Sequence, residues 1–228
     1  ILASLNEGNN LVTISSDVLQ GRLEGVFDPV NIFPELARFL QSYLDEAPFV
    51  GDPVVNCQHF DLEMELTNPR PFTSGIIPGL TELSPFSFRL NYRDKEPALL
   101  FDLQLNQLDY SGIKLEGMVL KAEGDEQQLA LNGDWKNIVI GEDIAIGRTS
   151  IVSKQIQGGL NTTLKVFAQD SVRHRFSFNW KQTDRGQEIS LEPRQVINFS
   201  EWLLPKDNAI IIQDSTITYI YSVSLSID

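Results

Sequence analysis

The sequence predicts an all-β fold built mainly of antiparallel amphipathic strands, with one amphipathic helix. Apolar and polar residues alternate at period two over most of the chain, and the segments between are short and rich in Gly, Asn and Asp. A single stretch follows the helical period instead.

Taken in order, the chain opens on the apolar segment Ile1-Leu2-Ala3-Ser4-Leu5, without the basic start of a signal peptide, and residue 1 is Ile. It reads as an internal or C-terminal-region fragment of a longer, repetitive protein. The helical stretch comes next. Asn31-Ile32-Phe33-Pro34-Glu35 offers a cap and an early proline, followed by Leu36, Ala37, Leu40, Tyr43 and Leu44 at helical spacings. A helix from about Phe33 to Leu44 is expected, packing Phe33, Leu36, Leu40, Tyr43 and Leu44 on one open end of the sheet core.

Three clear strands follow: Phe60, Leu62, Met64 and Leu66; Phe86, Phe88, Leu90 and Tyr92; and Leu99, Phe101, Leu103 and Leu105. Between the first two, Pro69, Pro71, Pro78 and Pro85 with Gly75 and Gly79 argue against a regular strand. The expectation there is a long surface loop, 69–85, and a soft boundary within an otherwise single β-rich unit. Further alternations run through Leu129 and Leu131, Leu160 to Val166, Phe176, Phe178 and Trp180, Ile189 and Leu191, and Ile217 to Ile227. On the order of a dozen strands is expected. Turn signals such as Asn132-Gly133-Asp134, Gly158-Gly159 and Asp184-Arg185-Gly186 suit hairpins rather than crossover helices.

With 18 Lys plus Arg against 31 Asp plus Glu, the net charge is −13, which repels a phosphate backbone and excludes nucleic acid as a partner. The hydrophobic content of 42% argues against disorder, and no apolar run is long enough to span a membrane. Cys57 is the only cysteine and cannot form an internal disulfide. Cys57 and His59 are two candidate metal ligands, too few for a site, and His174 between Arg173 and Arg175 reads as a strand-edge residue. Asp61, Glu63 and Glu65 share one strand face; a solvated sheet face explains them better than a calcium ion. No nucleophile elbow or phosphate loop is present, so catalytic residues, metals and cofactors are all expected to be none.

The steps Ser15-Ser16-Asp17 and Arg22-Leu23-Glu24-Gly25-Val26-Phe27, then the helix, then Leu99 to Leu105, Leu115-Glu116-Gly117, Leu129 to Trp135 and Ile138 to Gly141 form a recurring texture of short amphipathic strands with polar turns. It resembles the AsmA/TamB-like family, the translocation and assembly module proteins of the Gram-negative envelope, over nearly the whole chain. The family's N-terminal membrane helix and C-terminal tail have no counterpart here.

The resemblance implies an elongated sheet folded lengthwise into a trough, in the periplasm, attached to the inner membrane by a segment not present here. It implies a hydrophobic groove for phospholipid or lipopolysaccharide acyl chains, and an outer-membrane barrel-assembly-type partner. Candidate groove residues are Phe86, Phe88, Leu90, Phe101, Leu103, Leu105, Phe176, Phe178 and Trp180. Two alternatives stand beside this. One is a scaffold that templates strands by edge pairing; the other is an extracellular carbohydrate-binding β-sandwich using Trp135, Trp180 and Trp202.

Overall fold

The computed structural model describes residues 2–4, 9–43, 58–94, 98–125, 128–184, 186–213, 216–221 and 226–227. Leu44 and Cys57 lie outside them. The N-terminal elements are β1 (Leu2–Ser4), β2 (Asn10–Ser15), β3 (Leu19–Val26), α1 (Ile32–Ser42) and β4 (His59–Leu66). A short helical turn, Phe72–Ile76, precedes β5 (Leu80–Leu83), β6 (Phe86–Arg93), β7 (Ala98–Tyr110) and β8 (Ile113–Gly124). Then come β9 (Leu129–Trp135), β10 (Asn137–Ile140), β11 (Ile144–Ile146), β12 (Thr149–Ile156), β13 (Gly159–Ala168) and β14 (Ser171–Thr183). The chain closes with β15 (Gly186–Leu191), β16 (Arg194–Ile197), β17 (Ser200–Leu203), β18 (Ala209–Gln213), β19 (Thr216–Tyr221) and β20 (Ser226–Ile227).

All of these strands join one 20-stranded antiparallel sheet that does not close on itself. Its spine is a meander in which β1, β2, β3, β4, β6, β7, β8 and β9 pair in turn. It continues through β12, β13, β14, β15, β18 and β19. Three long strands outrun their neighbours and carry short branches. β7 pairs β5 beyond β6, β8 pairs β10 beyond β9, and β14 pairs β16 beyond β15. These branches explain why 20 strands form where about a dozen are legible: pieces of two to four residues are too short to show a period.

β5 corrects the expectation that 69–85 holds no strand. The prolines flank the ladder rather than interrupt it, so Leu80 to Leu83 pair with Tyr110 to Leu108 without losing a donor, and Leu80 is buried.

A buried apolar cluster lies at the rim where α1 meets the ends of the strands. Asp28 orders the approach, its carboxylate accepting from the Val30 N–H and from the Asn31 amide. Phe39, Tyr43, Phe27, Phe60, Tyr92, Leu99, Ala122 and Leu129 form one buried cluster, with Ile32 and Leu36 packed against it. Phe39 stands edge-on to Tyr92 at 5.4 Å and to Tyr43 at 5.1 Å. Tyr43 Oη donates to the Asp125 carbonyl at 2.6 Å, and Gln155 Nε2 donates to the Tyr43 carbonyl at 3.3 Å. The helix thus reaches from β4 and β6 across to β12. Burial raises the pKa of the Tyr43 and Tyr92 phenols, and the nearby carboxylates of Asp125 and Asp94 add to the rise.

The packing stripe is Ile32, Leu36, Phe39 and Tyr43, one position round the helix from the expected one. Phe33 is 79% exposed and Leu40 39% exposed, whereas Phe39 is 2% exposed. Both stripes have helical spacing; Phe39 wins because it meets the aromatic pair Phe60 and Tyr92, whose rings are 5.4 Å apart.

Gly25, inside β3 and opposite Phe60, lets the backbones of β3 and β4 approach closely beside this cluster. Its φ is +140°, and a Cβ there would sit 2.1 Å from the His59 carbonyl oxygen. Gly25→Ala is therefore expected to lower stability by about 2–4 kcal/mol, combining backbone strain with displacement of β4. Chemical denaturation of the purified chain measures it; a change under about 0.5 kcal/mol would mean that β3 and β4 shift freely here.

Candidate functional site

Because residues directly opposite each other in the ladder point to the same side, each face of the sheet can be followed from strand to strand. One row on the inner face runs Ile14, Gly21, Met64, Phe88, Leu103, Leu120, Gly133, Ile151, Leu164 and Phe176. A neighbouring row runs Val12, Leu23, Leu62, Leu90, Phe101, Ala122 and Leu131, then Ser153, Thr162, Phe178 and Leu191. Nearer α1, Leu160, Trp180, Ile189 and Ile210 align; on the far side, Leu66, Phe86, Leu105 and Met118 align. The register therefore places all nine expected groove residues on one face. Leu105 is buried, and the other eight are half-buried.

That face is apolar over most of its extent but not everywhere. Ser153 and Thr162 share a hydrogen bond of 2.8 Å inside it, so their hydroxyls satisfy each other where water is scarce. At Gly133 the floor rises to meet the Trp135 ring: an added Cβ would lie 2.8 Å from the indole and 2.7 Å from Ile151. Glycine here leaves room for the ring beside Ile151 and Leu120. The three tryptophans stand on separate strands, β9, β14 and β17, and the indole N–H of Trp135 and of Trp202 is buried without a hydrogen-bond partner.

The opposite face is a ladder of charge. Arg22, Glu63, Arg89, Asp102 and Lys121 oppose one another in turn across β3, β4, β6, β7 and β8. Arg89 meets Glu63 at 3.3 Å and Lys121 meets Asp102 at 3.4 Å, while Arg22 turns to Glu24. Such exposed pairs add little stability each, but alternation in sign keeps the face hydrated and avoids cross-strand repulsion. Asp61 is held by Arg93 at 3.1 Å, and Glu65 completes the acidic strand face. A cavity of about 560 Å³ opens on this face beside Glu63, Glu65 and Arg89. Among the described residues no group of three or more His, Cys, Asp or Glu is arranged to hold a metal ion. His59 is exposed at the start of β4; His174 Nδ1 accepts from the Asn198 N–H at 3.2 Å and its ring stacks on Phe176.

Sequence reasoning missed two buried amides at the fork where β14 exchanges partners. Gln195 Nε2 donates to the carbonyls of Ser177 at 2.8 Å and Glu192 at 2.6 Å, and its Oε1 accepts from the Ser177 N–H at 2.8 Å. Asn208 Oδ1 accepts from the Leu191 N–H at 2.7 Å, and Nδ2 donates to the carbonyls of Leu191 and Pro205. Each side chain does the work of a missing ladder bond, and both are 2% exposed. No period or motif marks them in sequence.

Fold and site together define an open, two-faced antiparallel sheet, apolar within and charge-laddered without. Comparison with protein-family models, curated proteins and solved structures finds no match to this chain.

Proposed function

We propose that this chain is a non-catalytic segment of a periplasmic bridge of the AsmA/TamB-like type, whose apolar face carries phospholipid or lipopolysaccharide acyl chains between the inner and outer membranes. The observation that supports it is the continuity of half-buried apolar side chains along register rows from β2 to β14, backed by a hydrated charged face. Rows crossing ten strands at the usual ~4.8 Å spacing extend over roughly 40 Å, longer than an acyl chain. Covering about ten methylenes at ~0.8 kcal/mol each would contribute on the order of 8 kcal/mol before binding costs. Hydrophobic contact is non-directional, so a chain held this way also slides. Occupants are mobile as well as bound.

Site-specific photo-crosslinking in a Gram-negative periplasm tests this reading. A crosslinker at Phe88, Leu103 or Phe178 is expected to capture lipid, and one at Glu63 or Asp102, on the charged face, is expected to capture none. Equal capture from both faces, or from neither, would remove the groove assignment.

A second reading has one observation of its own. Among the described residues β1 pairs only with β2 and β19 only with β18, leaving two open edges that could template incoming strands of an outer-membrane protein. Binding of strand peptides, blocked by proline substitution in β19, would favour it.

A further inference from the structure

The charge ladder sets some like charges opposite each other: Glu24 faces Asp61, and each of these carboxylates has a cation of its own, Arg22 and Arg93. On the same outer face, Lys165 of β13 stands directly opposite Arg175 of β14, two cations paired across the strands. Like charges in that position are destabilising. Among the described residues neither has an ion-pair or hydrogen-bond partner, and the Nε of Arg175 is buried without an acceptor. A cavity of about 730 Å³ opens over the pair, and Arg194 and Lys206 also line it.

Arg194 is oriented by Glu201 at 3.1 Å, and among the described residues Lys206 has no acidic partner. The one carboxylate in the lining, Glu192, is already engaged, its Oε1 accepting from the amides of Asn161 at 3.0 Å and Asn179 at 3.2 Å. Four cations thus converge in a chain of net charge −13, while elsewhere on this face Arg89, Arg93 and Lys121 each meet a carboxylate. The floor is rigid, since Gln195 ties Ser177 to the β15–β16 connection.

From this we infer a binding site for a phosphoryl group at the β14 fork, in the cavity formed by Lys165, Arg175, Arg194 and Lys206. A guanidinium offers paired N–H donors that match phosphate oxygens, and the lysines supply compact charge beside it. The anion relieves the repulsion between Lys165 and Arg175 and gives the Nε of Arg175 its missing acceptor. Overall acidity selects a small phosphate ester or a single headgroup over a polyanion. The site faces away from the apolar rows, so it stands or falls independently of the lipid groove.

Titration of the 228-residue chain with inorganic phosphate at low ionic strength tests the site directly. Saturable binding with a dissociation constant below about 1 mM is expected. Lys165→Gln combined with Lys206→Gln should weaken it about tenfold or more, whereas Lys154→Gln, an exposed cation on β12 outside the cavity, should leave it unchanged. Without phosphate, Lys165→Gln should melt no lower than the parent, because it removes a repulsion. Flotation with vesicles of equimolar phosphatidylcholine and phosphatidic acid, competed by free phosphate, would assign a lipid headgroup; phosphate binding without flotation would assign a soluble ester. Failure to bind either probe, or an equal loss in Lys154→Gln, overturns the site.

Discussion

Phe39→Asp is expected to abolish the cooperative melting of the N-terminal half, while Leu40→Asp, one residue further on, shifts the melting temperature by no more than about 2 °C. Phe39 is 2% exposed and packed on Tyr92 and Tyr43 at the rim. Truncating such a ring costs about 3–5 kcal/mol, and an unpaired carboxylate in its place costs more, against a typical stability of roughly 5–15 kcal/mol. Leu40 is exposed, and its replacement leaves the cluster intact. Thermal denaturation followed by circular dichroism, with dye binding to report exposed apolar surface, separates the two. Equal effects of both substitutions would mean that α1 does not seat on the sheet as described.

The second large effect concerns the apolar face. Leu103→Arg is expected to keep the fold, with a loss of about 1–3 kcal/mol, and to reduce lipid capture at least tenfold. Leu103 opposes Phe88 on one side and Leu120 on the other, in the middle of a row, and is half-buried. From there a guanidinium can extend to water along an open face, yet it interrupts the path an acyl chain would follow. In a closed sandwich the same residue would have no route to solvent, and a buried unpaired cation would collapse the fold. Melting and photo-crosslinking of the variant are measured together. Retained folding with lost capture supports the conduit, loss of both supports a closed sandwich, and retained capture removes this face from the path.

How much of this was legible in the sequence depends on the range of the interaction that decides each feature. Period-two alternation at Phe60 to Leu66, Phe86 to Tyr92 and Leu99 to Leu105 is local, and it specifies both strand and inward face. The helix was legible for the same reason, as was the burial of Tyr43. Its rotation was not. Leu36 and Tyr43 belong to either of two stripes, and the choice between Phe39 and Leu40 was made by aromatic residues more than twenty positions away, at Phe60 and Tyr92.

The site divides along the same line. Sequence by itself determined that the chain forms amphipathic strands, that Phe86 to Leu105 and Phe176 to Trp180 carry apolar faces, and that the reverse side is charged. Tertiary structure alone decided that these faces are one face, because strand order and register join Phe88 to Leu103 and Leu164 to Phe176. It alone set Lys165 against Arg175, placed Gln195 and Asn208 in the fork, and let β5 form between prolines. The physical reason is that backbone period acts within a few residues, whereas register, branching and like-charge apposition arise only when distant strands share hydrogen bonds.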